Sequence, residues 1–345
     1  MTGRAGGPVS TDSTGALLAR LCAMEVASCR EAYRAALLEL AALDERIVCL
    51  EADLGGQRNS FQARFPDRYY NFGLAEANMV SAASGMAAAG LVPFVHTMAN
   101  FVAARACEQI KIDVAYHQAN VKIVASYGGI AGAAFGPTHH ATEDLAILRA
   151  LPGMAVVNPA DAVETVEALV AAAAQDGPWY VRLGRDPTPV VHRQPSGFRL
   201  GTAGLLRSGT DVTVIASGQS PVPIALEAAE RLAGDGICAG VLNMSSLKPL
   251  DAAAVTAMVR ASGVAVTIEE HNIIGGLGSA VAEVIAELGY GRLVRLGVPD
   301  TFVDQGGTYP DLLARYGVSV EALDAAVRRL LQGSPAATAQ AHDRR

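Results

Sequence analysis

The sequence predicts an α/β protein of two domains, each with a mostly parallel sheet flanked by helices. Three observations carry that expectation. Apolar runs of strand length alternate with Ala- and Leu-rich runs of helical length along most of the chain, the pattern of βα units. At 345 residues the chain exceeds what one core usually supports, so about two domains are expected. Near the middle, Pro187, Pro189, Pro195 and Gly197 crowd together and interrupt the alternation, which reads as a linker.

Taken in order, residues 1–18 form a flexible tail, because Met1 to Thr14 is rich in Gly, Ser and Thr and lacks the apolar core of a signal peptide. The first domain spans 19–186. It opens with Ala and Leu at helical spacing from Gly15 to Leu43, followed by the strand Ile47 to Asp53. The helix Ala77 to Ala89, strand Leu91 to Val95, helix Asn100 to Tyr116 and strand Val121 to Ser126 come next. Helix Ala141 to Arg149, strand Met154 to Val157, helix Ala160 to Ala174 and strand Tyr180 to Leu183 complete it. A linker covers 187–204. The second domain, 205–331, repeats the alternation from strand Asp211 to Ala216 through strand Leu293 to Leu296. The polar, Ala-rich 332–345 reads as a second flexible tail.

Composition narrows function. A net charge of −7 with 51% hydrophobic and 18% charged residues fits a soluble globular chain and predicts neither nucleic-acid nor anionic-membrane binding. The most apolar window, Met79 to Val95, is interrupted by Ser81, Ser84, Gly85, Gly90 and Pro93 and is too short to span a bilayer. The five cysteines, Cys22, Cys29, Cys49, Cys107 and Cys238, show no CxxC spacing. They predict no metal site and no disulfide framework, only thiols in a reducing cytoplasm. The phosphate-loop, H-E-x-x-H and G-x-S-x-G patterns are absent.

The stretch Tyr70 to Val80 stands out. Glu76 follows an extended aromatic run and opens a run of small residues, which places a carboxyl where a strand or turn feeds a helix. With little bulk around it, such a group is expected to be held protonated near neutral pH and to suit proton transfer. A Glu in the first turn of a helix is equally explained by the helix dipole.

Several segments then resemble one family in order. Asn71-Phe72-Gly73-Leu74-Ala75-Glu76-Ala77-Asn78-Met79-Val80, Thr97 to Phe101, Arg105-Ala106-Cys107-Glu108-Gln109-Ile110, Gly136-Pro137-Thr138-His139-His140, and Leu148 to Met154 with Asn158-Pro159-Ala160-Asp161 resemble the pyrimidine-binding domain of transketolases and 1-deoxyxylulose-5-phosphate synthases. Glu269 to Gly278 resembles the signature turn of the transketolase C-terminal domain.

The resemblance implies thiamine diphosphate as cofactor. Glu76 would hydrogen-bond N1′ of its pyrimidine and favour the tautomer whose 4′ nitrogen takes the C2 proton. Phe101 would stack on the pyrimidine, with Met98 and Tyr127 also on the cofactor. His139 would face the substrate carbonyl and move a proton there. Phe135, Arg185 and His96 would line the substrate. Glu270 and His271 would hold the second domain's turn or interface rather than react. Arg182 is expected on the opposite side of its strand from the site, and Arg182 and Arg185 each read alternatively as a solvated surface charge.

Ahead of the first α/β unit nothing matches the Gly-Asp-Gly segment, followed by an Asn, that binds Mg²⁺ and the diphosphate in full-length members. The resemblance therefore implies the C-terminal subunit of a split transketolase, with Mg²⁺ and the diphosphate held mainly by a separate N-terminal subunit in an α₂β₂ assembly. The expected donor is a small ketose or 2-oxo acid. A deoxyxylulose-phosphate-synthase-like enzyme, a 2-oxo acid dehydrogenase β subunit and a non-catalytic paralogue stand as alternatives. Three departures qualify the match: Phe135 replaces an aspartate that contacts the donor hydroxyl, Asn158 replaces a phosphate arginine, and Met98 replaces a phenylalanine. They imply a donor less hydroxylated, or differently held, than the sugar phosphates of central metabolism.

Overall fold

The computed structural model describes residues 11–54, 60–304 and 306–332. The expected C-terminal tail from 333 onward and the first ten residues lie outside them. A seven-stranded sheet runs in the order Ser246–Lys248, Ala155–Val157, Trp179–Arg182, Lys122–Ser126, Val92–Met98, Ile47–Glu51, Tyr69–Asn71. All its pairings are parallel except the antiparallel edge formed by Ser246–Lys248. Strands covered on both faces read as continuous apolar runs. Accordingly Val48 and Leu50 face one apolar cluster while Ile47 and Cys49 face another on the opposite side.

A second sheet has the order Arg292–Val298, Val264–Asn272, Val212–Ser217, Ala239–Asn243, Gly204–Arg207, with only the last strand antiparallel. The helices Pro221–Gly234 and Val320–Gln332 pack on it through Ala225, Ala229, Leu323 and Val327. Among the described residues no helix is long and apolar enough to cross a membrane.

Five features differ from the sequence expectation. Where a tail to residue 18 is expected, Thr11–Cys22 is a helix. Its Leu17 and Leu21, four apart and so on one face, are buried in the cluster that holds Leu37 and Leu40. Each such burial contributes about 1.5–3 kcal/mol, enough to dock a polar segment. The single helix expected from Gly15 to Leu43 is accordingly two, the second, Cys29–Leu43, opened by Ser28, whose hydroxyl accepts from Glu31 N.

The linker is strapped to the first domain. Thr188–Pro189 pairs with Val26–Ala27, and Asp161 serves both the helix and the strap. Its Oδ1 accepts from Glu164 N at 2.9 Å, capping Ala162–Ala174, while its Oδ2 accepts from Val191 N and His192 N at 2.9 and 2.8 Å. Further, Ser246–Lys248, expected within the second domain, completes the first domain's sheet. Finally, the helix expected from Asn100 to Tyr116 is broken into Ala99–Arg105, Cys107–Gln109 and a π-helical stretch Ile110–Tyr116.

Candidate active site

The strands Ile47–Glu51, Val92–Met98 and Lys122–Ser126 are neighbours and parallel, so their C-terminal ends open on one edge of the sheet. Sites in such sheets form at that edge. Three segments meet there: the start of the helix Glu76–Ala88, the helix Ala99–Arg105, and the Gly-rich loop that leaves Ser126.

Glu76 is the first residue of its helix and is fully buried. Arg105 Nη1 donates to its Oε2 at 2.5 Å, and Thr97 Oγ1 donates to its Oε1 across a longer 3.4 Å. The sequence suggests a carboxyl set among small residues; the structure instead gives it a guanidinium partner. Arg105 is half-exposed and lies over the Phe101 ring, 4.6 Å from its centroid. Phe101 and Arg105 are four apart on one helical turn and therefore share a face. That spacing is the signal by which Arg105, not picked out as a site residue from the sequence, could have been found.

From Phe101 an aromatic path runs outward. His139 meets Phe101 edge-on at 5.2 Å, Phe135 lies 5.2 Å from His139, and Tyr127 lies 6.0 Å from Phe135. The loop is fastened to the Ala99–Arg105 helix because Asn100 Nδ2 donates to Thr138 O at 2.7 Å. Thr138 Oγ1 and His139 Nδ1 are 2.9 Å apart, which fixes the imidazole. Phe135 is half-exposed on a short turn, Ala133–Phe135.

Tyr127 has a left-handed φ of 61°, a strained conformation for a bulky residue. Its hydroxyl accepts from Arg185 Nε at 3.2 Å and from Arg30 Nη1 at 3.4 Å. Arg30 comes from the helix Cys29–Leu43, 97 residues away in sequence, and nothing in its local sequence marks it. Two guanidiniums thus converge on one phenol, each also beside a carboxylate: Arg30 is 3.5 Å from Glu31 and Arg185 is 2.9 Å from Asp186.

Met98 closes the strand that feeds this site and is buried. His96 is expected on the substrate. It is fully buried, with Nδ1 2.9 Å from Glu51 Oε1 and Nε2 2.9 Å from Ser126 Oγ. Both ring nitrogens are thus engaged inside the sheet, where the strand register sets His96 opposite Glu51. Burial holds its pKa below the usual histidine value against the opposing bond to Glu51.

Arg182 is no solvated charge. It is buried and pairs through Nε with Asp144 Oδ2 at 2.9 Å. Arg185 is half-exposed and pairs with Asp186 at 2.9 Å. Asn158 is buried at the seam between the sheets, donating to Ser217 Oγ at 3.1 Å. Among the described residues no group of three or more His, Cys, Asp or Glu stands together as a metal site.

Comparison with known proteins gives two family matches: the transketolase pyrimidine-binding domain over residues 25–190 and the transketolase C-terminal domain over residues 201–323. The chain is 44% identical to a 6-deoxy-6-sulfo-D-fructose transketolase subunit of a Clostridium species, over 81% of this chain and 87% of that one. It is 38% identical to one subunit of an apulose-4-phosphate transketolase of Phocaeicola vulgatus, over 86% of this chain and 95% of that one. A solved split-gene transketolase, described as an inactive β4 tetramer, superposes with a TM-score of 0.81 at 42% identity, over 88% of this chain and 98% of that one.

Proposed function

Because the chain belongs to the transketolase family, we propose that it is the C-terminal subunit of a split, thiamine-diphosphate-dependent transketolase that moves a two-carbon ketol unit. One observation carries the reading: a fully buried carboxyl at a helix start, Glu76, shares its guanidinium partner with an aromatic ring, Phe101. These residues fit an aminopyrimidine. Glu76 can hydrogen-bond a ring nitrogen, the more readily because its Oε1 is met by Thr97 at a long 3.4 Å. Phe101 supplies an apolar face worth about 0.5–1.5 kcal/mol beyond area burial.

When bound, the cofactor supplies the carbon that accepts the ketol unit. The chain's residues bind, orient and handle protons around it. Glu76 orients the pyrimidine, and Phe101 with Met98 shields it from water. His139, held by Thr138, is placed to give or take a proton at a substrate oxygen. Arg30 and Arg185 suit an anionic end of the donor. That agrees with a sulfonated and a phosphorylated sugar in the names of two relatives. Phe135, half-exposed beside His139, favours a donor that lacks a hydroxyl at that point.

The relatives are subunits, which supports a separate partner; to that partner the reading assigns the diphosphate and Mg²⁺, in an α₂β₂ assembly in the cytoplasm. Titrating thiamine diphosphate with Mg²⁺ into the chain, alone and with the partner, tests this reading. Tight binding is expected only with the partner. Glu76→Ala should lower turnover by a factor of about 10²–10⁴ while the pair still assembles; undiminished turnover would refute the assignment.

A further inference from the structure

The second domain holds the Gly-rich loop through the side chain of Glu270, beside the apolar packing of Ile130 and Ala133 against its core. Glu270 Oε1 accepts from Ile130 N at 2.8 Å, and its Oε2 accepts from Tyr309 OH at 2.6 Å. Tyr309 is itself fixed by Ser220 Oγ at 2.8 Å. The fit is close. A Cβ on Gly129 would stand 2.4 Å from Glu270 Oε1, and one on Gly128 would stand 2.6 Å from Arg182 Nε. Arg182 joins the two domains by donating to Ala141 O and to Glu270 O, both at 2.9 Å. The loop is closed at its base, where Gly129 and Ala141 exchange backbone bonds of 3.0 and 2.7 Å.

This explains how Tyr127 keeps its left-handed backbone. Such strain, of order 1–3 kcal/mol, persists only where surroundings over-determine it. Here Glu270 and Arg182 mould the three residues that follow.

We propose that Glu270 is a positioning residue for the donor-facing loop: by holding the backbone at Gly129–Ile130 it sets where Tyr127 and Phe135 stand, so the second domain governs donor binding. The inference rests on the reading that this loop faces the donor. The groups around the carboxyl are Arg182 with its partner Asp144, Tyr309, and the neighbours Glu269 and His271 on its own strand. Because Glu270 Oε1 acts toward Ile130 N only as an acceptor, a side-chain amide oxygen can take its place.

The test compares Glu270→Ala, Glu270→Asp and Glu270→Gln in the full chain assembled with its partner. Hydroxypyruvate serves as the ketol-donor probe, and amide exchange is followed across residues 127–141. Losing one buried hydrogen bond predicts about a tenfold rise in exchange at Ile130 and in donor KM for Ala and Asp, with kcat and thiamine diphosphate affinity within about threefold. Glu270→Gln keeps an acceptor for Ile130 N and should recover most of the KM. Where Ala fails to fold, Asp, which keeps the charge but cannot reach, carries the comparison. Unchanged KM despite faster exchange, or equal losses in kcat, cofactor affinity and KM, would overturn the proposal. A wild-type assembly that neither binds thiamine diphosphate nor consumes hydroxypyruvate, while exchange responds as expected, would instead overturn the proposed function and leave the clasp on the loop supported.

Discussion

Replacing Arg105 by Ala isolates the contact at the centre of the site. Glu76 is fully buried and Arg105 half-exposed, so the pair lies between two regimes. Removing one partner of a buried ion pair costs about 3–5 kcal/mol, whereas exposed pairs contribute about 0–1 kcal/mol. With solvent reaching one side, Arg105→Ala should destabilise the chain by about 1–3 kcal/mol, because Thr97, at 3.4 Å, remains to meet the carboxyl. A double-mutant cycle with Glu76→Gln, followed by urea denaturation, separates this effect from lost packing on Phe101. Glu76→Gln should rescue the Arg105→Ala background, with a coupling of at least about 1 kcal/mol. Additive effects, or an Arg105→Ala variant within about 0.5 kcal/mol of wild type, would show that the pair does not hold the carboxyl.

Arg30→Ala and Arg185→Ala should each raise KM about tenfold for donors with an anionic end, leaving donors with a neutral end unaffected, as steady-state kinetics would show. Leu21→Ala should cost about 2–5 kcal/mol in denaturant, because Leu21 is buried in the first domain's core; a neutral result would mean that this helix is undocked in solution.

The Asp161–His192 strap should make stability pH-dependent. Burial opposes the charged form of each, but the mutual bond wins, holding His192 above and Asp161 below its usual value. The His192 contribution is present below the ordinary histidine value and is lost as pH rises through the raised one. That of Asp161 is present above the ordinary aspartate value and is lost as pH falls through the lowered one. Wild type should therefore gain stability from about pH 8 to about pH 5.5 relative to Asp161→Asn, measured by melting both proteins at each pH.

Local pattern is enough to reveal the α/β alternation, since a period of two or of 3.6 is written into neighbouring residues. It also suffices to find Glu76 at a helix start, and the run of motifs marks Phe101 and His139. What local pattern does not supply is distance in space. Arg30 reaches Tyr127 across 97 residues, and Glu270 reaches Ile130 across 140. Strand Ser246–Lys248 leaves its own domain to complete the other sheet. His96, just before the Thr97 to Phe101 segment, is expected on the substrate, and only strand register sets it opposite Glu51, with Ser126 at its other ring nitrogen. The N-terminal segment looks polar and free, yet two leucines four apart find a groove formed by a helix that begins seven residues after Cys22. Sequence determines which faces are apolar and where chains turn. Which faces meet, and so which charges share a pocket, is decided by packing among segments that carry no record of one another.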